Sequence, residues 1–559
     1  MQKLLFGLLV TLSLSLQASF AQSYVLSGIE KTDKEDMQYE VLGKVDNHYW
    51  IYKKNKAVST IAQYNDQMQL VKQNDLSFLP ATVSSIEFVH SNNKVVVFYQ
   101  FQAKTTVYAV AAELNNEGQL VGAPKIIDTA ENIRPGSHVK VFNLLQSDDR
   151  QKTAIFSVNT TRASSIKIKV VALNDRFETI NEATINVNAQ NKKSNLSDFA
   201  LDNNGNLFCL RNMVLSNAAP AVSLLYLSAD GLEVVESPIL NNTLLLDDIR
   251  LQLDNKNDRV QLSSFYATTK KGNIEGVYTY LWDINSKKEI ASNANRFTDA
   301  LRGAVSTKRN LKDAFDHFYI DETKFLADGS MVIVAESAET RNNRSAFSRW
   351  DYFFGGPFYN PFMFNYWTRP FGFYPWTRFG FGLGFGYGLG FGYDLGFGFG
   401  NGFGFWNGFG FGNGLGFGMF PFMWSPWVNP FSGFGYNSVT YSAHKVALIS
   451  LDTKGNIQTI KTIDKRQSDV NVDQFIGYGT IENDRGSTFI YYKKEKGIRQ
   501  FVINTFTKEG QLTKGANVIL AEKNYEWMPR SLKQVGDNEA IIPYQFKNKI
   551  GFAKIKLNN

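Results

Sequence analysis

Few side chains in this sequence could do chemistry, and their spacing narrows the choice further. The five histidines, His48, His90, His138, His317 and His444, stand far apart and form no metal-binding spacing such as HExxH. The only cysteine, Cys209, lies within Asn206-Leu207-Phe208-Cys209-Leu210, where it reads as a small buried hydrophobe. There is no GxSxG elbow and no phosphate-binding or EF-hand loop. Asp202-Asn203-Asn204-Gly205-Asn206 superficially resembles a calcium loop, but it lacks spaced carboxylates and reads as a hairpin turn. No cofactor, no metal and no catalytic residue is expected from these features.

One acidic constellation remains. Glu87 in Ile86-Glu87-Phe88, Asp198 in Ser197-Asp198-Phe199, Asp248 in Asp247-Asp248-Ile249 and Asp473 in Val472-Asp473-Gln474-Phe475 each sit just before or within an apolar run. If those runs line a common channel, the four acids would ring one of its mouths. Clustered carboxylates could bind a cation, or act as acid and base in glycoside cleavage. Acids at strand starts also cap turns and hydrogen-bond backbone amides, and that structural role is the plainer expectation.

The elements that would position these acids are β-strands. Val95-Val96-Val97-Phe98-Tyr99, Thr153-Ala154-Ile155-Phe156-Ser157-Val158 and Ser487-Thr488-Phe489-Ile490-Tyr491-Tyr492 are β-branched and aromatic runs bounded by polar turns. Each is followed by a second strand, a short polar turn and a third. That turn recurs as Leu114-Asn115-Asn116-Glu117-Gly118-Gln119-Leu120, Leu227-Ser228-Ala229-Asp230-Gly231-Leu232, Leu451-Asp452-Thr453-Lys454-Gly455-Asn456-Ile457 and Phe506-Thr507-Lys508-Glu509-Gly510-Gln511-Leu512. Glycine after a polar residue suits a tight hairpin where φ is positive. With weaker copies near Asp66, Asp175 and Ser286, the spacing is roughly 55 residues, broken once between 286 and 455.

This period with four strands per unit resembles the β-propeller architecture, and the chain as a whole resembles exported propeller-like repeat proteins of uncharacterised function. The resemblance implies about eight blades, or seven if one weak repeat is misread. It also implies ring closure by the N-terminal strand. The last unit, Arg530 to Leu557, reads as three strands, and Tyr24-Val25-Leu26-Ser27-Gly28-Ile29 has no other partner. Separate β-sandwich domains are the rival arrangement, but no Pro/Gly/Ser linker divides the repeats.

The break in the period holds a helix-like piece, Ala300 to Phe318, and an insertion over 341–440. From 379 to 418 every even position is glycine except Asp394 and Trp406, and every odd position is Phe, Leu, Tyr or Asn. A period of two puts the large side chains on one face of an extended strand and bare glycine on the other. The flanks are rich in aromatics and proline, and six of the nine tryptophans fall between 350 and 427. Such a segment titrates almost nowhere but can stick to things. Trp350, Trp367, Trp376, Tyr387, Tyr393, Trp406, Trp424 and Trp427 are its candidate contact residues, because tryptophan and tyrosine suit half-wet interfaces. Self-association through stacked glycine–aromatic ribbons is the second use, and a tolerated repeat expansion the third.

The start of the chain, Met1-Gln2-Lys3 followed by an apolar run and Ser19-Phe20-Ala21, reads as a signal peptide over 1–21. No cysteine follows it to carry a lipid anchor, and no later stretch reads as a membrane helix. The formal charge of +7 is spread among nearly as many acids, which argues against nucleic acid as a partner. The expected divisions are therefore a signal peptide, propeller over 22–340 and 441–559, and the insertion between. The function expected is a non-enzymatic, periplasmic, surface or extracellular scaffold presenting the insertion for adhesion, self-association or envelope binding. The alternative is a propeller hydrolase or lyase acting on glycans with the carboxylate ring.

Overall fold

The computed structural model describes residues 23–31, 37–55, 58–91, 94–137, 140–160, 165–188, 194–213, 221–239, 244–246, 249–269, 272–306, 310–342, 439–470, 475–515, 517–520, 524–547 and 549–557. These form eight antiparallel sheets, each of four strands once short split strands are counted together. The chain is an eight-bladed β-propeller. Blades 1 to 8 occupy 37–75, 85–130, 142–188, 194–238, 245–296, 318–470, 479–519 and 526–556 in turn, and the insertion lies inside blade 6.

The apolar runs become the second strands of their blades, with Val95–Tyr99 inside Lys94–Ala103 and Ser487–Tyr492 inside Gly486–Glu495. Second and third strands are covered by blades on both sides, so continuous apolar runs suit them. Fourth strands lie at the rim and alternate instead, as in Lys288–Arg296, where exposed and half-buried residues take turns. The core is divided among the blade interfaces. Trp50 and Tyr52 of blade 1 pack with Phe88 and Val97 of blade 2; Phe156 of blade 3 packs with Phe199 and Cys209 of blade 4. Phe208 and Tyr226 of blade 4 meet Trp282 of blade 5. Tyr49 and Ile51 of blade 1 meet Ile541 and Phe552 of blade 8, which makes the ring continuous. Trp50, Trp282 and Trp527, the tryptophans outside the insertion, are all fully buried in these wedges.

The repeated turns join the third strand to the fourth and dock on the preceding blade. Gln63 Nε2 donates to Asn116 O (3.2 Å), Asn181 Nδ2 to Ala229 O (3.0 Å), Asn295 Nδ2 to Gly455 O (2.9 Å) and Lys461 Nζ to Gly510 O (2.7 Å). The glycine therefore serves twice. Gly455 takes φ +85°, and a Cβ there would stand 2.8 Å from Thr279 Oγ1 of blade 5. The period legible in the sequence is thus the spacing of one inter-blade contact.

Closure follows the expected course. Ser23–Leu26 pairs antiparallel with Ala553–Lys556 as the outer strand of blade 8, extended by Glu30–Lys31 against Lys549–Ile550. Between these two pieces Ser27 is buried. Its Oγ accepts from Phe552 N (2.9 Å), and its carbonyl accepts from Tyr544 Oη (2.9 Å). The first strand of blade 8 starts slightly earlier than expected, with Glu526–Trp527. The helix is shorter than the piece expected at Ala300 to Phe318. It spans Asp299–Val305, capped by Thr298 Oγ1 accepting from Leu301 N. Gly303, Val305 and Asn310 disfavour continuation; the chain turns instead, and Phe315 stacks on Phe297 with ring centres 3.9 Å apart.

Ser27→Ala would strand the buried Phe552 amide. A loss of about 1–3 kcal/mol is expected, visible as a lower midpoint in urea denaturation. An unchanged midpoint would mean that closure does not depend on this contact.

Candidate functional site: the axial channel and the insertion root

In each blade the first strand is innermost. First strands of blades 3, 4, 5 and 6 touch in succession, as do those of blades 7, 8 and 1. They carry a set of charges that is paired across blade boundaries. Glu87 of blade 2 meets Lys140, just ahead of the first strand of blade 3, at 2.7 Å, with both side chains 3% exposed. Asp198 of blade 4 faces Arg250 of blade 5 at 3.8 Å. Lys324 of blade 6 forms an ion pair with Glu322 at 2.8 Å and also reaches Glu482 of blade 7. Glu40 of blade 1 feels Lys533 of blade 8 as its main neutralising charge. The boundaries 8/1, 2/3, 4/5 and 6/7 are thus each spanned by opposite charges.

Burial dominates the electrostatics of Glu87, Asp198, Glu40 and Lys533. It raises the pKa of Glu87, opposed by the Lys140 ammonium, and that of Asp198, opposed by Arg250 and a hydrogen bond from Ser197. Glu40 is raised more strongly by burial, against Lys533 and with Glu87 adding repulsion; its two carboxylate oxygens have no hydrogen-bond partner among the described residues. Burial pushes Lys533 down to about 8. Asp198 also occupies a bulge with φ +50°, a conformation aspartate adopts more readily than most residues.

Of the acids singled out from sequence, Glu87 and Asp198 do lie on first strands. They do not share a site, since each is engaged by a cation of the following blade. Asp248 and Asp473 lie outside the described residues. Sequence reading missed the bases, Lys140, Arg250, Lys324 and Lys533. Their signal was present, because each occupies in its blade the region that an acid occupies in another, but it appears only when repeats are superposed. Asp202 forms the expected hairpin turn, its Oδ1 accepting from Asn204 N (2.9 Å) and Asn206 N (2.7 Å). Among the described residues no group of three or more His, Cys, Asp or Glu side chains could hold a metal ion.

A second buried cluster sits at the root of the insertion. Glu336, on the second strand of blade 6 (Met331–Ser337), accepts from Arg530 Nη2 of blade 8 at 2.8 Å and from Lys465 Nζ. Tyr478 of blade 7 donates to Asp321 Oδ2 of blade 6 at 2.6 Å, and its ring lies under Lys465 with the ammonium 5.3 Å from the centre. Gly477 leaves room for Arg530, since a Cβ there would fall 1.9 Å from its Nε. Burial lowers Lys465 to about 8, opposed chiefly by Glu336. This network ties blades 6, 7 and 8 together where the insertion departs. The contact residues proposed from sequence, Trp350, Trp367, Trp376, Tyr387, Tyr393, Trp406, Trp424 and Trp427, all lie outside the described residues.

Two outcomes follow from the buried pairs. Lys140→Ala would leave Glu87 buried without its cation, at a cost of about 3–5 kcal/mol, whereas a Glu87→Met/Lys140→Met double variant should recover most of it. The single variant's deficit should shrink in mildly acidic buffer, where the carboxyl protonates; an equal deficit at both pH values would exclude this origin. For Lys465, the folded state releases its proton near pH 8 while the unfolded chain holds it to about 10.5, so stability from this group rises between those values. Lys465→Met should flatten that rise in a pH series of denaturation midpoints.

No family model and no curated protein matches the sequence. Among solved structures, the chain is similar to the WD40 domain of SCAP from fission yeast, at 8% identity and TM-score 0.37, over 96% of this chain and 94% of that one. It is also similar to a prolyl endopeptidase, at 9% identity and TM-score 0.31, over 84% and 55% of the two chains. A third similarity is to the cobalt-substituted apocarotenoid oxygenase of Synechocystis, at 9% identity and TM-score 0.28, over 57% and 89%.

Proposed function

We propose that this protein is an exported, non-enzymatic scaffold whose propeller mounts the Gly/aromatic segment for adhesion, self-association or attachment to the cell envelope. One observation carries the reading. The segment leaves and re-enters the ring through a paired stem, Glu339–Asn342 with Val439–Ser442, ending at the pair Asn342↔Val439. Below that stem, Met331–Glu336 and Val446–Leu451 stay in unbroken register, as in a blade with no insertion. The ring is complete without the segment, and the Glu336–Arg530–Lys465 network ties the stem's base in blade 6 to blade 8. A mount of this kind suits a segment whose composition fits contact with an apolar or half-wet surface. The signal-peptide-like start supports export, and the acids Glu87 and Asp198 support cohesion through their ion pairs rather than hydrolysis.

The test compares the mature protein with a version in which 343–438 is replaced by a two-residue turn. The shortened protein is expected to keep its melting temperature, to be monomeric by light scattering, and to leave the envelope fraction. If both versions fractionate and scatter alike, the segment is not the working surface.

A further inference from the structure

Charge that is mixed along the sequence is sorted between the two faces of the ring. In a four-stranded antiparallel blade, the first-to-second and third-to-fourth turns gather on one face. The second-to-third turns and the links between blades gather on the other. The first face is acidic on balance, with Asp46, Asp202, Asp328 and Asp484 in its inner turns and Glu117 and Asp230 in its outer ones, beside bases such as Lys256, Lys454, Arg485 and Lys508.

The second face carries lysine at a repeated position. In blades 7, 8, 1 and 2, which are consecutive around the ring, the second-to-third turn is two residues long, closed by the pairs Glu495↔Ile498, Phe546↔Lys549, Asn55↔Val58 and Ala103↔Thr106. Lysine opens that two-residue stretch of sequence in all four, as Lys496, Lys547, Lys56 and Lys104, of which Lys56 lies outside the described residues. Lys104, Lys496 and Lys547 are exposed and take φ of +55°, +51° and +56°. Glycine, asparagine and aspartate occupy that conformation at least cost. Lysine there accepts strain and places an ammonium at the tip of the turn. Lys494 and Lys549 flank the tips and are exposed. Of the acids nearby, Glu495 is matched by Lys493 at 2.7 Å and Glu526 by Lys494 and Arg499 at 3.5 Å, while Asp75 and Glu131 stand exposed beside the turns of blades 1 and 2.

We infer that this lysine arc seats the protein on an anionic lipid bilayer, with the turn-tip ammonium groups meeting phosphate headgroups. Single charges spread along the rim of a flat face suit a planar array of phosphates. One bound anion would need donors that converge. Lysine offers a hydrated point charge, and non-specific attraction to headgroups requires only the charge. The insertion stem leaves the same face from blade 6, next to blade 7 where the arc begins. Tryptophan and tyrosine in the segment it carries are residues suited to the headgroup zone. The inference names the surface for the envelope reading, but rests on residues of the propeller itself.

The experiment is co-sedimentation of the full mature protein with phosphatidylcholine vesicles, with and without phosphatidylglycerol, across a salt series. Lys56→Gln/Lys104→Gln/Lys496→Gln/Lys547→Gln should lower partitioning onto the anionic vesicles by about tenfold or more. The matching Arg variants should bind like the parent, with the melting temperature of every variant checking the fold. A control removing four charges from the opposite face, at Lys256, Lys454, Arg485 and Lys508, should bind like the parent. Equal losses in both sets would reduce the effect to net charge and overturn the inference. So would binding indifferent to phosphatidylglycerol, or capture by an anionic polysaccharide with no vesicle binding. The shortened protein lacking 343–438 should retain salt-sensitive vesicle binding, so loss of the insertion reading and loss of the arc give different results.

Discussion

The fold depends on apolar contact between neighbouring blades. A single four-stranded sheet of this chain has two faces to cover and cannot cover either alone; Trp50, Trp282 and Trp527 are buried only because a second blade lies against each. The wedges work as a set, because each blade is a wall of two of them. Closing the last wedge, between Ile541 and Phe552 on one side and Tyr49 and Ile51 on the other, removes the final pair of uncovered faces. Everything else in the structure is placed by this condition, including the inward position of the first strands and the outward position of the repeated turns.

Buried charge is the second organising feature, and it divides into two kinds. Along the channel, pairs such as Glu87 with Lys140 join one blade to the next at alternate boundaries. At the insertion root, Arg530 reaches past blade 7 to Glu336 and makes a longer tie. Buried ion pairs contribute little net stability after desolvation, but a mismatched partner is costly.

Much of the architecture was legible because the same local requirement recurs. The third-to-fourth turn needs positive φ at its glycine, and at Gly118, Gly231 and Gly455 also close approach to the preceding blade, so glycine recurs at 118, 231, 455 and 510 and marks the repeat length. The incomplete last unit and the orphan strand near Tyr24 together announced closure. The channel was half legible. Acids on first strands stood out, while their partners did not, since Lys140 and Lys533 lie far away in sequence and look like ordinary surface lysines until the ring brings them inward. The turn lysines escaped for the opposite reason. Net charge averages over the chain, and only the alternation of strand direction assigns Lys104 and Lys496 to one face and Asp202 and Asp328 to the other. The helix was overextended because an apolar stripe from Ala300 to Phe318 outweighed, in a pattern reading, the weak helix formers inside it.

The outer strand of blade 8 comes from the beginning of the chain and its other strands from the end. The order of events during biosynthesis is therefore constrained: until residues 526–556 have been made, the wall of blade 1 that they cover is bare and residues 23–31 lack their native partner strand. An arc without residues 526–556 would leave uncovered walls at both ends, and two such arcs could exchange those ends to form a joined pair of rings. Conditions that slow completion or release of the chain would favour that exchange.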